Sequence, residues 1–101
     1  MRITENEKKV IVKEAQKQFG IRTKVYLFGS RVNDLARGGD IDLLIVPAHT
    51  SSIEKLYSSK ISFAVTLDMI LEEQKIDIII KYPGDMRGIV QTAINQGIAL
   101  C

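Results

Sequence analysis

Two short stretches decide how this chain folds: LFGS at residues 27–30 and DIDLLIV at residues 40–46. The first ends an apolar run with glycine and serine, which are residues that terminate strands. The second opens an apolar run with two aspartates one residue apart, and Pro47 stops it. Because side chains alternate along a strand, Asp40 and Asp42 share one face. A buried strand has little reason to carry two carboxylates on one face, so the pair predicts a chemical role.

Turn, cap and periodicity signals divide the rest of the chain into helices and strands. Thr4 and Glu7 predict a capping box that opens a first helix, and Asp85 is expected to cap a last helix that begins with Met86. The predicted order is α-β-α-β-α-β-α with a terminal strand stub, and its segments are helix 5–19, strand 23–28, a short helix to about 35, strand 40–46, helix 53–72, strand 75–81, helix 86–96 and stub 98–100. We expect one domain over residues 1–101, of α/β (α+β) class, with helices packed on a small sheet. This pattern alone leaves the strand directions open.

Composition limits the function classes that remain. With 46% apolar and 26% charged residues, the chain has the make-up of an ordinary globular domain. A net charge of +2 does not call for nucleic acid or an anionic membrane as a partner. No apolar run approaches the ~20 residues that span a bilayer, and the single cysteine, Cys101, suits a reducing compartment. We therefore expect a cytoplasmic location.

A third aspartate extends the acidic pair. Asp77 interrupts the apolar strand KIDIIIK at residues 75–81, and it reaches Asp40 and Asp42 if the two strands are neighbours. Clustered carboxylates repel one another, and they are costly to bury without a cation. Mg²⁺ prefers oxygen ligands, and two divalent ions about 3.5–4 Å apart would clamp the attacking and leaving oxygens of a phosphoryl displacement.

The glycine–serine turn supplies features of a phosphate site. Gly29 lets the backbone approach a ligand closely, and N–H groups at a helix start favour phosphate. The Ser30 hydroxyl can donate to a phosphate oxygen, and guanidinium groups at Arg31 and Arg37 suit phosphate oxygens. Taken singly, each piece has an ordinary structural explanation: a turn, a surface acidic pair, or a salt bridge from Asp77 to a neighbouring lysine. The combination favours a nucleotide site.

The middle helix has apolar residues on more than one side. One stripe joins Ile53, Leu56, Ile61, Ala64 and Val65, while four further apolar residues lie outside it: Tyr57, Phe63, Leu67 and Ile70. Exposed apolar patches mark interfaces, so a homodimer or a protein partner is one interpretation, and a partner is favoured because a chain this short leaves no room for a separate acceptor-binding domain. The alternative is that the middle and last helices simply cover the two faces of the sheet.

The segment from Phe28-Gly29-Ser30-Arg31 to Gly39-Asp40-Ile41-Asp42-Leu43 resembles the signature of the DNA polymerase β-like nucleotidyltransferases. It is most similar to the minimal, MNT-type members. The resemblance implies a two-layer fold with a mixed sheet. It also implies that Gly29 and Ser30 hold nucleotide phosphates, that Asp40 and Asp42 bind Mg²⁺, and that Asp77 helps to activate the attacking hydroxyl.

The function implied by this resemblance is Mg²⁺-dependent transfer of AMP from ATP to a hydroxyl on a partner protein, with two magnesium ions. The partner would be a HEPN-type toxin encoded nearby, and this chain would be the antitoxin. Two alternatives stay open: a non-catalytic antitoxin-like subunit that neutralises its partner by contact, and a transferase that acts on a small molecule.

Overall fold

A computed structural model describes residues 3–29, 40–48, 52–71 and 75–101. Along the chain these residues form α1 (Glu5–Phe19), β1 (Lys24–Phe28), β2 (Asp40–Val46), α2 (Ile53–Ile70), β3 (Lys75–Ile80), α3 (Gly88–Gln96) and β4 (Ile98–Ala99). The short helix predicted after Ser30 falls outside the described residues. Among the residues that the structure describes, no helix is long and apolar enough to cross a membrane.

The predicted capping box opens α1. The Thr4 N–H donates to Glu7 Oε1 at 2.8 Å, and the Glu7 N–H donates back to Thr4 Oγ1 at 3.0 Å. Two donors that the helix itself cannot satisfy are paired in this way. The prediction of a capped first helix is confirmed.

The four strands form one mixed sheet in the order β3-β2-β1-β4. Strand β1 runs antiparallel to both β2 and β4, while β2 and β3 are parallel. Helix α2 lies between β2 and β3 in the chain, as a parallel pair requires, because such strands need a long crossover connection. The mixed sheet of the expected fold is confirmed.

Alternation along the strands sends their apolar side chains to two different cores. One face of the sheet packs under α1 and α2 in the larger core, where Phe19 and Phe63 meet edge to face with ring centroids 5.7 Å apart. That core includes the strand residues Val25, Leu27, Ile41, Leu43, Ile45, Ile78 and Ile80. The other face carries a smaller cluster, in which Leu44 packs against Val90 and Ala93 of α3. The expected two-layer arrangement is thus formed by the sheet and α1–α2, and α3 covers one end of the second face.

The start of α3 corrects the sequence prediction. Arg87, not Asp85, occupies the N-cap position, and no side chain caps the helix. Met86 precedes the helix and is 82% exposed, so it is not part of the buried stripe. Asp85 is engaged by Arg87 instead, as described below, and it is therefore unable to serve as the cap.

Candidate active site

The strand register brings two of the three predicted aspartates side by side. Asp42 of β2 is the register partner of Asp77 in the parallel strand β3. Register partners in neighbouring strands point to the same face, and neighbouring strands lie about 4.8 Å apart. Asp42 is half-buried and Asp77 is exposed. Two carboxylates therefore lie together on the face of the sheet opposite α1 and α2.

The third aspartate occupies the adjacent row of the same strands. Asp40 begins β2 and is the register partner of Lys75 in β3. Only the backbone of Asp40 lies within the described part of the structure, so the role of its carboxylate stays a prediction. Among the described side chains there is no group of three acidic, histidine or cysteine residues that could hold a metal ion. Asp42 and Asp77 supply two such side chains.

Gly29 lies directly against the Asp42 carboxylate. The register partner of Asp42 on its other side is Phe28, the last residue of β1, so Gly29 follows at the same edge of the site. The φ angle of Gly29 is +74°, in the left-handed region that side chains disfavour. A Cβ atom built at position 29 would overlap Asp42 Oδ2. Glycine is required here both by the backbone conformation and by the closeness of the carboxylate.

The remaining predicted phosphate ligands cannot be placed. Ser30, Arg31 and Arg37 lie outside the described residues. Their roles stay predictions. Gly29 is the one member of the predicted phosphate set within the described part of the chain, and it lies against the Asp42 carboxylate.

Sequence comparison decides the family. The family model described as "Polymerase beta, Nucleotidyltransferase" matches residues 9–101, which is most of the chain. The chain belongs to this nucleotidyltransferase family. The resemblance predicted from the segment 28–43 is thereby confirmed, and the match includes all three aspartates. No curated protein sequence matches the chain significantly.

Two solved structures share the nucleotidyltransferase fold of this chain. One is the complex of a tri-AMPylated HEPN toxin with its MNT antitoxin from Shewanella oneidensis, with 20% identity and a TM-score of 0.69. The match covers 98% of this chain and 72% of the other. The second is a mutant of the toxin–antitoxin pair MntA–HpeT, with 22% identity, a TM-score of 0.66 and coverage of 95% and 72%. At these identities the likeness shows the fold.

Lys75 is not among the site residues predicted from the sequence. A lysine beside Asp77 was considered there only as an ordinary salt-bridge partner. The register places Lys75 opposite Asp40, two residues before Asp77 and on the same face. The period-two spacing of Lys75 and Asp77 is the signal that could have identified it. A cation at this position adds positive charge on the face that carries Asp42 and Asp77.

A second charged cluster of the nucleotidyltransferase lies at the far end of β3. Arg87 Nε donates to Asp85 Oδ1 at 2.9 Å, and Arg87 Nη2 donates to Asp85 Oδ2 at 2.6 Å and to the Ile80 carbonyl at 2.8 Å. These hydrogen bonds hold the pKa of Asp85 well below its ordinary value and raise the pKa of Arg87. The Arg87 guanidinium also lies 5.9 Å from the centre of the Tyr82 ring. This cluster fixes the connection from β3 to α3.

Proposed function

We propose that this protein transfers AMP from ATP to a hydroxyl group on a protein partner and releases pyrophosphate, with magnesium as its cofactor. The observation that carries the proposal is the pairing of Asp42 with Asp77 in register, with Gly29 packed on the Asp42 carboxylate. Membership of the nucleotidyltransferase family supports this class of reaction.

The residues present suit a hard divalent cation. Carboxylate oxygens are preferred Mg²⁺ ligands. Because Gly29 has no Cβ atom, the Asp42 carboxylate can lie in close contact with the backbone there. Asp40, Asp42 and Asp77 would hold magnesium, which would stabilise the negative charge of the attacking and leaving oxygens.

The carboxylates differ in exposure, and this difference suggests different roles. Asp77 is exposed at the start of β3, so it can accept the proton of an acceptor hydroxyl that arrives from solvent. Asp42 is half-buried and held against Gly29, which suits a fixed ligand. In this proposal Gly29, Ser30, Arg31 and Arg37 bind the triphosphate, with the backbone at Gly29 approaching the phosphates closely.

A HEPN-type protein is the proposed acceptor, and this chain is the proposed antitoxin. Support comes from the two solved complexes, each of which pairs a relative of this fold with a toxin. In one of them the HEPN toxin carries three AMP groups. The acceptor hydroxyl of such a partner has to reach the face of the sheet that bears Asp42 and Asp77.

Transfer can be tested with the purified protein, labelled ATP, Mg²⁺ and a HEPN-type protein encoded beside it. We expect the partner to gain the mass of one or more adenylyl groups, each of which is AMP less one water, and we expect EDTA or Asp42→Asn to abolish the gain. Asp68→Asn is the matched control, because Asp68 is an exposed aspartate on α2, across the sheet from the site. No AMP on the partner with intact protein would contradict the proposed reaction. Neutralisation of the partner by Asp42→Asn as well as by the wild type would favour a subunit that acts by contact.

Binding of the nucleotide can be tested separately by thermal unfolding. Mg²⁺-ATP at about 100 times its dissociation constant should stabilise the fold by about 2.7 kcal/mol. We expect the joint effect of Mg²⁺ and ATP to exceed the effect of either alone. The lack of any joint shift at millimolar ligand would contradict the nucleotide site itself.

A further inference from the structure

Helix α2 carries an exposed row of large apolar residues. We call it the α2 ridge, and its members are Ile53, Tyr57, Ile61, Val65 and Met69, which are 67, 55, 46, 54 and 72% exposed. Each member follows the previous one by four residues. The inward side of the helix is formed by Leu56, Phe63 and Leu67, which are buried in the main core. The five residues of the α2 ridge are therefore not part of the main core of the described residues.

The shape of the α2 ridge suits helix packing. Rows of residues four apart form continuous ridges on a helix, and two such ridges pack at about −50° in the commonest class of helix contact. The row spans about 24 Å at 1.5 Å per residue. Ser58, Ser62 and Thr66 lie next to it, and these short side chains allow a second helix to approach. None of the five members is charged.

We propose that the α2 ridge pairs with the α2 ridge of a second copy of this chain, with the helices antiparallel about a two-fold axis at Ile61. The ridge is self-complementary about that residue. Ile61 packs beside its own copy, Tyr57 meets Val65 of the second copy, and Ile53 approaches Met69 of the second copy. Such an isologous contact closes as a dimer, because the same surface of each copy is used up in the pair.

The size of the α2 ridge is appropriate to a dimer. A stable interface buries roughly 800 Å² on each partner. The five members of the α2 ridge are each about half exposed or more, so they can form the apolar centre of such an interface, with the polar residues beside them as its rim. An antiparallel pair would cover the ridges of both copies at once.

The position of the α2 ridge favours a second copy over an acceptor protein. Helix α2 packs on the sheet face that carries Ile41 and Leu43, whereas Asp42 and Asp77 lie on the other face. A protein bound on the outer side of α2 has the whole sheet between itself and the carboxylates of that chain. A two-fold pair through α2 instead leaves both acidic sites on the outside and open. The inference goes beyond the proposed transfer reaction and does not require it.

The association state is the first test. We expect light scattering after size-exclusion chromatography to give twice the chain mass of 11.3 kDa at micromolar concentration. Ile61→Lys should give a monomer, because it places two lysines together on the two-fold axis. Ile89→Lys on α3 is the matched control, since Ile61 and Ile89 are both 46% exposed on helices. Circular dichroism should show that both variants are folded.

Disulfide trapping tests the geometry in a Cys101→Ser background. A disulfide needs Cα atoms about 4.4–6.8 Å apart, which an antiparallel pair allows on its axis. Ile61→Cys should form a covalent dimer by itself. Tyr57→Cys and Val65→Cys should cross-link efficiently only when the two variants are mixed.

Three results would overturn the proposal: a monomeric wild type, an Ile61→Lys variant that still forms the dimer, or trapping of Tyr57→Cys with itself rather than with Val65→Cys. A monomer that needs Ile61 to bind a co-expressed HEPN-type protein would show that the α2 ridge receives that protein and not a second copy. Loss of the dimer in Ile61→Lys with retained nucleotide binding would separate this surface from the site.

Discussion

Substitution of Gly29 by alanine tests how closely the backbone supports the acidic site. At a φ of +74°, a side chain costs about 1–2 kcal/mol of the free energy of unfolding, because its Cβ crowds the carbonyl oxygen. The new Cβ atom would also overlap Asp42 Oδ2, so the carboxylate has to rotate away. Moving a side chain off its preferred rotamer costs about 0.5–1.5 kcal/mol. The expected total loss is therefore about 1.5–3.5 kcal/mol.

Gly84 provides a matched control for the strain alone. Its φ of +73° equals that of Gly29 within one degree, but no atom of the described residues lies within 4 Å of a Cβ atom at position 84. Gly84→Ala should cost only the backbone term, so urea unfolding should separate the two variants by about 0.5–1.5 kcal/mol. For a domain of this size, each kcal/mol corresponds to about 4–8 °C in Tm.

A double-mutant cycle assigns that difference to the carboxylate. In an Asp42→Ala background the overlapping oxygen is gone, so Gly29→Ala should then cost no more than Gly84→Ala. In the wild-type background, Gly29→Ala should also weaken stabilisation by Mg²⁺-ATP, whereas Gly84→Ala should not. Equal losses for the two variants, with equal responses to Mg²⁺-ATP, would refute a close contact between Gly29 and Asp42.

Further substitutions test the acidic site, the end of α3 and the turn before α3. Asp42→Asn should abolish AMP transfer while the melting temperature without metal stays the same or rises, because one like charge is removed; transfer at the wild-type rate would rule out Asp42 as a ligand. Gly97→Ala should destabilise the fold by about 1–3 kcal/mol, because a Cβ atom there would overlap the Ala93 carbonyl oxygen and lie 2.9 Å from the Leu27 carbonyl oxygen. Gly88→Ala is the control, since no atom of the described residues lies within 4 Å of a Cβ atom at position 88. It should leave the melting temperature unchanged or raise it. Asp85→Asn should lower Tm at neutral pH, because the ionised Asp85 carboxylate is stabilised in the fold by Arg87, as its lowered pKa indicates. The difference in Tm should shrink as the pH falls below about 4, where the carboxyl of the unfolded chain becomes protonated. A difference in Tm that is constant with pH would contradict that role.

Local pattern was sufficient to predict the strand that carries the acidic pair. Asp40–Val46 forms β2 with the predicted bounds, because its apolar run is short, contains β-branched residues and is stopped by Pro47. Strand alternation then places positions 40 and 42 on one face without further information. The contact between Asp42 and Asp77 depended instead on which strands are neighbours. That order is set by packing between distant segments. The sequence therefore predicted the contact only for the case in which the two strands are neighbours.

The start of the last helix shows how a nearby partner overrides a capping preference. Aspartate is a favoured N-cap residue, but Asp85 accepts hydrogen bonds from the Arg87 side chain and from the backbone N–H groups of Tyr82 and Arg87. A charge-assisted pair with two donors is stronger than one bond to a helix N–H. The helix therefore begins at Gly88, after this turn is complete. Only the folded turn shows that Arg87 competes for the carboxylate.

Helix α2 shows the limit of periodicity most clearly. Its sequence is apolar on more than one side, so helical spacing alone could not decide which side faces the core. The structure buries Phe63 and Leu67 from outside the first predicted stripe, and leaves Ile61 and Val65 of that stripe exposed. Phe63 is selected because its ring meets Phe19 of α1, a contact between segments more than forty residues apart. The side that loses this competition becomes the α2 ridge. The packing that buries Phe63 therefore leaves the α2 ridge exposed. This ridge and Asp42 lie on opposite sides of the sheet. A second copy of the chain can cover the ridge while the acidic site stays open.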